Sequence, residues 1–343
     1  MNPSGSSEPS SEAFAGAGPE SGQPPHLDLV ETGCALCGSS RASVCAEGRD
    51  FEYDTASNTF TFVRCAECDH VYLSPRPKVD DLDVIYPSNY YSFLGTSSSL
   101  VASAQRKWES GKVALYREHV GEGHRCILDV GCGDGRFLSL LRDFGAAEWE
   151  MVGLEFDAGA IEKCRGMGFE AHAERVEDFA DEPDQQGRFD AVVMLQLIEH
   201  VEDPSVVCEQ VHRLLKPGGV FVIETPNLAG LDHRLFEGRH WGHYHFPRHW
   251  NLFSEASLRR MLEAKGFEIV VSECLISTSS WIISHQNWLK DRSYPDWLCR
   301  FVNFQNPLLL GLAVIMDTVR TKLGLPTSNQ RMIARALPAS GAA

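Results

Sequence analysis

The stretch Leu128-Asp129-Val130-Gly131-Cys132-Gly133-Asp134-Gly135 decides the reading of this chain. It follows a buried-strand candidate, Cys126–Val130, and precedes a helical stripe of Phe137, Leu138, Leu141 and Phe144 that Gly145 ends. Glycines between a strand and a helix let backbone approach a ligand, and the unpaired amides of the helix N-terminus favour an anion. Glu155 stands 24 residues beyond Gly131, at the end of the next strand candidate, Met151–Glu155. A carboxylate there suits two ribose hydroxyls. A dinucleotide site shares this logic, but three details separate the two. The glycines read GxGxG, not GxGxxG. Asp129 precedes the loop inside the strand, and a later strand ends in Gln196-Leu197-Ile198-Glu199-His200.

Outward from the loop, short apolar runs alternate with helices from Cys126 to about Val271, which predicts a parallel α/β sheet. Ala158–Arg165 reads as a helix, Phe169–Ala173 and Phe189–Gln196 as strands. Asp203-Pro204 opens a helix with Val207, Val211, Leu214 and Leu215 facing inward. Lys216–Gly219 reads as a turn before the strand Val220–Glu224. Ser254 caps a helix that Gly266 ends, and Phe267–Val271 is another strand. Beyond these, Trp281–Leu289 and Pro307–Thr321 read as helices, and Arg331–Leu337 as a late returning strand. Residues 1–28, rich in Ser, Gly, Pro, Ala and Glu, are expected to be a disordered leader. The expected units are a cysteine-rich domain over 29–80, a helical connector over 81–120, the α/β domain over 121–275 and a helical extension over 276–343.

Cys34-x-x-Cys37 and Cys65-x-x-Cys68 are two chelating turns separated by 27 residues. Four thiolates from two tight turns make a closed tetrahedral site suited to structural zinc, whose ligation would supply folding free energy to a unit with little core. Cys45 and His70 are substitutes of poorer spacing, and Gly38 and Asp69 are turn-permissive residues behind each pair. Eleven Cys of 343 residues, an odd count, fit reduced thiols plus a metal site better than a disulfide framework.

Composition narrows the function. The net charge of −16 argues against general phosphate-backbone binding, so no nucleic-acid partner is expected. No secretory signal and no run long enough to span a bilayer is evident, so a cytoplasmic protein is expected. Leu308–Met316 is apolar but short. It is expected to pack on the domain, with a peripheral membrane contact through 307–321 as the alternative.

The runs LDVGCGDGRFL, VGLEFD, FDAVVMLQLIEHVEDP and LLKPGGVFVIETPN together resemble the class I S-adenosylmethionine-dependent methyltransferases, above all the ubiquinone-biosynthesis O-methyltransferase group. The resemblance covers about residues 126–271. It implies a Rossmann-like, seven-stranded, mostly parallel sheet with helices on both faces. The paired-cysteine region, with Phe62-Val63-Arg64-Cys65 and Ser74-Pro75-Arg76-Pro77, is similar to the zinc-ribbon N-terminus of some bacterial methyltransferases, sugar C-methyltransferases among them; their further C-terminal domain is not recognisable here.

Carried over, the resemblance implies S-adenosylmethionine as cofactor. Gly131 and Gly133 would pack on its methionine part, Asp129 would orient the loop and the cofactor amine, and Glu155 would bind the ribose. Phe156 would flank the adenine, Val176 and Glu177 line its edge, and Leu195 and Gln196 border the sulfonium. The ubiquinone group has Glu where this chain has Gln196, so no catalytic magnesium is expected.

A hydroxyl acceptor needs a general base, and His titrates in the useful range. Five of the thirteen His lie between His233 and His249, interleaved with Trp241, Tyr244, Phe246 and Trp250. One of His243, His245 or His249 is expected in the acceptor pocket, against the plainer reading of hydrogen-bonded loop residues. His200 is expected to anchor the strand end. Tyr90 and Tyr91 cover the cofactor or merely pack. The reading that results is methyl transfer to a small-molecule or glycan-precursor acceptor, O-transfer favoured. The competing readings are a nicotinamide-dependent oxidoreductase, a nucleic-acid methyltransferase and a non-catalytic zinc-ribbon scaffold.

Overall fold

The computed structural model describes residues 23–87, 90, 99–303 and 306–338, with the side chains of 99–108 not described. Most of the expected leader and Tyr91 lie outside the described residues. In chain order, the cysteine-rich part forms β1 (Ala42–Gly48), β2 (Phe60–Cys65) and β3 (Val71–Leu73), followed by the connector helices α1 (Leu82–Ile85) and α2 (Ser99–Val120). The alternating part runs β4 (Arg125–Val130), α3 (Arg136–Phe144), β5 (Trp149–Glu155), α4 (Ala158–Gly166), β6 (Glu170–Ala173), α5 (Val176–Phe179), β7 (Phe189–Leu195), α6 (Pro204–Leu214) and β8 (Leu215–Pro226). Then follow α7 (Leu231–Leu235), β9 (Asn251–Leu252), α8 (Glu255–Ala264), β10 (Phe267–Leu275), α9 (Thr278–Asp291), α10 (Asp296–Phe301), α11 (Pro307–Lys322) and β11 (Asn329–Ala336).

The larger sheet has seven strands in the order β10-β11-β8-β7-β4-β5-β6. The central pairs β8–β7, β7–β4, β4–β5 and β5–β6 are parallel, and β11 runs antiparallel between β8 and β10. Strand residues such as Leu128, Val192, Val193, Phe221 and Val222 are buried on both faces, which is why these segments read as continuous apolar runs and not as alternation. The sheet is completed by β11, 54 residues after β10 ends at Leu275, because only that strand can pair both flanking strands. Lys216–Gly219 does not end β8. These residues bulge from the strand, with Gly218 at φ 76°, and pairing to β7 resumes at Val220.

Glu224 ties the connector to the sheet. Its carboxylate takes Lys112 Nζ and Tyr116 Oη, each at 2.8 Å, and lies 3.3 Å from Arg331. Thus α2 and β11 converge on one buried anion near the C-terminal end of β8.

The smaller sheet has the order β1-β2-β3-β9. Its last strand belongs to the histidine-rich loop, with Val71 opposite Leu252 and Tyr72 opposite Asn251. One apolar cluster spans both parts: Phe60, Phe62 and Leu73 pack with Trp241, Tyr244, Phe246 and Trp250. The cysteine-rich unit is therefore built onto the loop that follows β8.

Candidate active site

The backbone of the glycine loop explains its glycines. Gly131, Gly133 and Gly135 hold φ of 78°, 51° and 83°, in the left-handed region where a side chain is disfavoured. A Cβ on Gly131 would stand 3.0 Å from Leu197 Cδ2, so the turn lies directly against the loop that follows β7. The amides of Gly131 and Cys132 both donate to Leu154 O on the neighbouring strand. Cys132 is buried beside Cys164, and Asp134 is exposed.

Asp129 is buried at the end of β4, and its Oδ2 has no hydrogen-bond partner. Burial, with the charge of Glu155 added, pushes its carboxyl up to about 7. An orphaned buried carboxylate oxygen is a site prepared for a cation or donor. Glu155 accepts from the amide of Gly133 at 3.2 Å through Oε2 and from that of Phe156 at 2.9 Å through Oε1. The expected acidic partner of the loop is thus in contact with it. Phe156 beyond it is 62% exposed, an aromatic face open to a planar ring. Val176 is buried and Glu177 half-buried at the start of α5, while Leu195 and Gln196 close β7. Gln196 adopts φ 53°, unusual for a residue with a side chain, and its Nε2 donates to Asn329 at 3.0 Å. A donor with an ammonium group, a pentose and a planar base fits these residues: the free Asp129 oxygen, the Glu155 carboxylate and the exposed Phe156 ring.

Leu197–His200 carries the geometry across to the histidine loop. His200, His245 and His249 face one another, with ring centroids 4.6 Å apart for His200–His249 and 4.9 Å for His245–His249. His249 Nδ1 lies 2.7 Å from His243 O. A carbonyl can only accept, so Nδ1 carries the proton and Nε2 presents a lone pair. Burial, reinforced by the neighbouring imidazoles, holds the His249 pKa well below its ordinary value. Burial likewise brings His200 down to about 3 and His243 to about 4. These rings are neutral at physiological pH. His243 turns away, its Nε2 2.9 Å from Ser277 Oγ.

Three partners of this cluster come from parts of the chain that spacing did not connect with it. Glu52 Oε1 is 2.6 Å from His245 Nδ1, Tyr90 Oη is 3.3 Å from His245 Nε2, and Tyr86 Oη is 2.8 Å from His200 Nδ1. Tyr86 also meets Tyr90 edge-on, with ring centroids 5.0 Å apart. Arg248 is fully buried in an ion pair with Asp50 at 2.8 Å and lies over the Tyr53 ring. Asp50 in turn accepts from the amides of Glu52, Tyr53 and Thr55, fixing the turn that presents Glu52. Glu199 is buried with one oxygen unpaired, and burial pushes its carboxyl up to about 8. Donor atoms of Glu199, His200 and His249 lie within 4.8 Å of one another. The carboxylate that the histidine segment lacks in its own sequence is brought to it by the loop after β7. His200 faces Tyr86, His245 and His249, and its Nδ1 lies 3.1 Å from Arg248 O.

Cys34, Cys37, Cys65 and Cys68 form the other group of potential metal ligands, again within 4.8 Å of one another. Cys34–Cys68 and Cys37–Cys65 sulfurs are 3.4 and 3.5 Å apart, near the roughly 3.8 Å edge of a tetrahedron with 2.3 Å Zn–S bonds. The turns repeat: Gly38 N donates to Cys34 O, Asp69 N to Cys65 O, and both Gly38 and Asp69 take positive φ. Against the penalty of burial, the amides of Glu67 and Cys68 bring the Cys65 thiol down to about 7. This donor set fits a closed zinc site. Cys45 bonds Phe62 O and His70 bonds Asn251, so both stand outside it.

Fold and site thus define an α/β domain with a left-handed glycine turn held against a carboxylate at the end of the next strand. Residues 103–272 match a family described as a methyltransferase domain. These residues form a class I S-adenosylmethionine-dependent methyltransferase domain. The chain is 31% identical over 158 residues to a "Probable S-adenosylmethionine-dependent methyltransferase" of Mycolicibacterium smegmatis, covering 43% of this chain and 54% of that one. It is 38% identical over 112 residues to a ubiquinone biosynthesis O-methyltransferase of Alkalilimnicola ehrlichii, covering 31% and 43%. The chain therefore spans about half the length of these relatives. A solved methyltransferase structure from Archaeoglobus fulgidus superposes with a TM-score of 0.44 at 20% identity, over 67% of this chain and 94% of that one.

Proposed function

We propose that this protein transfers a methyl group from S-adenosylmethionine to a hydroxyl of a small-molecule or glycan-precursor acceptor held beside His200, His245 and His249. When bound, the cofactor supplies an electrophilic methyl carbon for in-line displacement. The protein's part is to align the acceptor, exclude water and take its proton. Asp129, Gly131, Gly133 and Glu155 would hold the donor, with Phe156, Val176, Glu177, Leu195 and Gln196 along it. The Nε2 lone pair of His249, fixed by the His243 carbonyl, suits a hydrogen bond from the acceptor hydroxyl, and His245, oriented by Glu52, suits taking its proton. Tyr90 and Tyr86 would orient that hydroxyl.

One observation carries the reading: the Leu197–His200 segment touches the glycine turn at one end and supplies Glu199 and His200 to the histidine cluster at the other. The O-methyltransferase relative supports oxygen as the acceptor atom. Zinc in the four-cysteine site is read as structural.

The experiment is transfer of labelled methyl from S-adenosylmethionine into fractionated cell extract by the purified, zinc-loaded chain. A labelled small molecule or glycan precursor that disappears with His249→Asn supports the reading. Intact binding of S-adenosylhomocysteine without any labelled product sinks it. The grouping of Glu199, His200 and His249 favours a second reading, in which a divalent cation holds the acceptor. Activity that appears only on adding magnesium or manganese would favour it over proton transfer alone.

A further inference from the structure

Away from the glycine turn and the histidine cluster, α10 and α11 expose large apolar side chains. In α11 the buried residues are Ala313 and Asp317, and the helix rests on α9, where Asp317 accepts from Ser277 N at 2.7 Å and from Trp281 Nε1 at 3.0 Å. The opposite stripe is bare. Leu308, Leu312, Ile315, Val319 and Leu323 are between 50% and 73% exposed, at spacings of four, three, four and four, and so line one side of a helix about 24 Å long. Asn306 Nδ2 donates to Phe301 O, which abuts the end of α10 on the start of α11, and α10 adds Trp297 at 70% and Phe301 at 52% exposure. Scattered exposed leucines are ordinary; seven large apolar side chains on two abutting helices mark a contact surface.

Charge indicates what covers it. Between residues 288 and 323 the chain carries five Lys or Arg against three Asp, a net +2 within a chain of −16. Asp317 is buried and Asp291 is paired with Arg239 and His240, which leaves Asp296 as the outward anion. Arg292, just before α10, Arg300 on α10 and Lys322 at the end of α11 are exposed cations on the segment that carries the apolar side chains. Such cations, together with exposed leucine, isoleucine and tryptophan, complement an anionic bilayer surface, where apolar side chains enter the headgroup boundary and the cations meet lipid phosphates. None of the described helices is long and apolar enough to cross a membrane. We propose that α10 and α11 form an interfacial anchor that seats this protein on anionic lipid, independently of the methyl-transfer site.

Flotation of the full, zinc-loaded chain with phosphatidylcholine vesicles, with and without phosphatidylglycerol, tests this. The chain is expected to float with phosphatidylglycerol vesicles, less so as salt rises, and to stay behind with phosphatidylcholine alone. Leu312→Ser with Ile315→Ser is expected to lower binding about tenfold or more, since each removes an aliphatic side chain from the buried area. Arg300→Glu with Lys322→Glu keeps the apolar face and is expected to weaken anionic binding comparably. Unchanged calorimetric binding of S-adenosylhomocysteine checks that each variant is folded. Equal flotation of all forms, or flotation of none, overturns the proposal. So does a dimer in lipid-free buffer that Leu312→Ser with Ile315→Ser dissociates, because a second copy would then cover the face.

Discussion

His245 Nδ1 and Glu52 Oε1 are 2.6 Å apart although 193 positions separate them in the chain. The carboxylate comes from the cysteine-rich unit and the imidazole from the loop after β8, so the unit with the zinc-type site also borders the histidine cluster. A carboxylate on one imidazole nitrogen fixes the ring's orientation, with Nε2 facing Tyr90.

Glu52→Gln keeps the shape and removes the charge. The expected result is a fall in kcat of about 10²-fold with cofactor KM and thermal midpoint nearly unchanged. Steady-state kinetics across a pH series checks it. An equal fall in stability with unaltered pH profile would show that Glu52 only supports the loop.

The Asp50–Arg248 pair predicts a different signature. Both side chains are fully buried, so Asp50→Ala strands a guanidinium and should cost about 3–5 kcal/mol by urea unfolding. Burial opposes ionisation of Asp50, but Arg248 overrides it and holds the carboxyl near 2, below its ordinary 3.8. The folded value is depressed, so the stabilisation is complete above about 4 and is lost as pH falls toward 2. Acid titration of the wild type and of Asp50→Asn, followed by circular dichroism, should show this transition flattened in the variant.

Asp129 sets a pH dependence of donor binding. Its carboxyl is raised to about 7, and a cationic donor needs it ionised, so affinity falls as pH drops below that value. Calorimetry with S-adenosylhomocysteine should give roughly tenfold weaker binding at pH 6 than at pH 8. Asp129→Asn should bind weakly at both.

Metal removal should separate the two halves of the site. Elemental analysis is expected to find one zinc per chain, lost in Cys65→Ser. Chelation or that variant should lower the thermal midpoint and abolish methyl transfer, since β3 pairs β9 and Asp50 locks Arg248. Binding of S-adenosylhomocysteine should change by less than about threefold, because Asp129 and Glu155 sit on the other sheet. Loss of both functions together would refute the division.

The glycine turn and its acidic partner were legible in the sequence because their parts are local. A glycine turn must sit between a strand and a helix, and Glu155 ends the adjacent strand, so short spacings carry the information. The cysteine pairs were legible for the same reason: two-residue spacing dictates a chelating turn. The bulge at Lys216–Gly219 was not, since Pro-Gly-Gly reads as a turn whether or not pairing resumes beyond it. The acceptor half was not legible either. Nothing in the spacing of Glu52, Tyr86, Tyr90 or Glu199 links them to His245 and His249.

By itself, then, the order of residues determined an α/β sheet, its glycine turn with an acidic partner, and a four-thiolate knuckle. Only the tertiary structure decided that β9 joins the two sheets, that β11 returns between β8 and β10, and which side chains surround the histidines. Backbone turns are fixed by neighbours a few residues away, whereas a polar pocket is assembled by packing surfaces that meet only after the chain has folded.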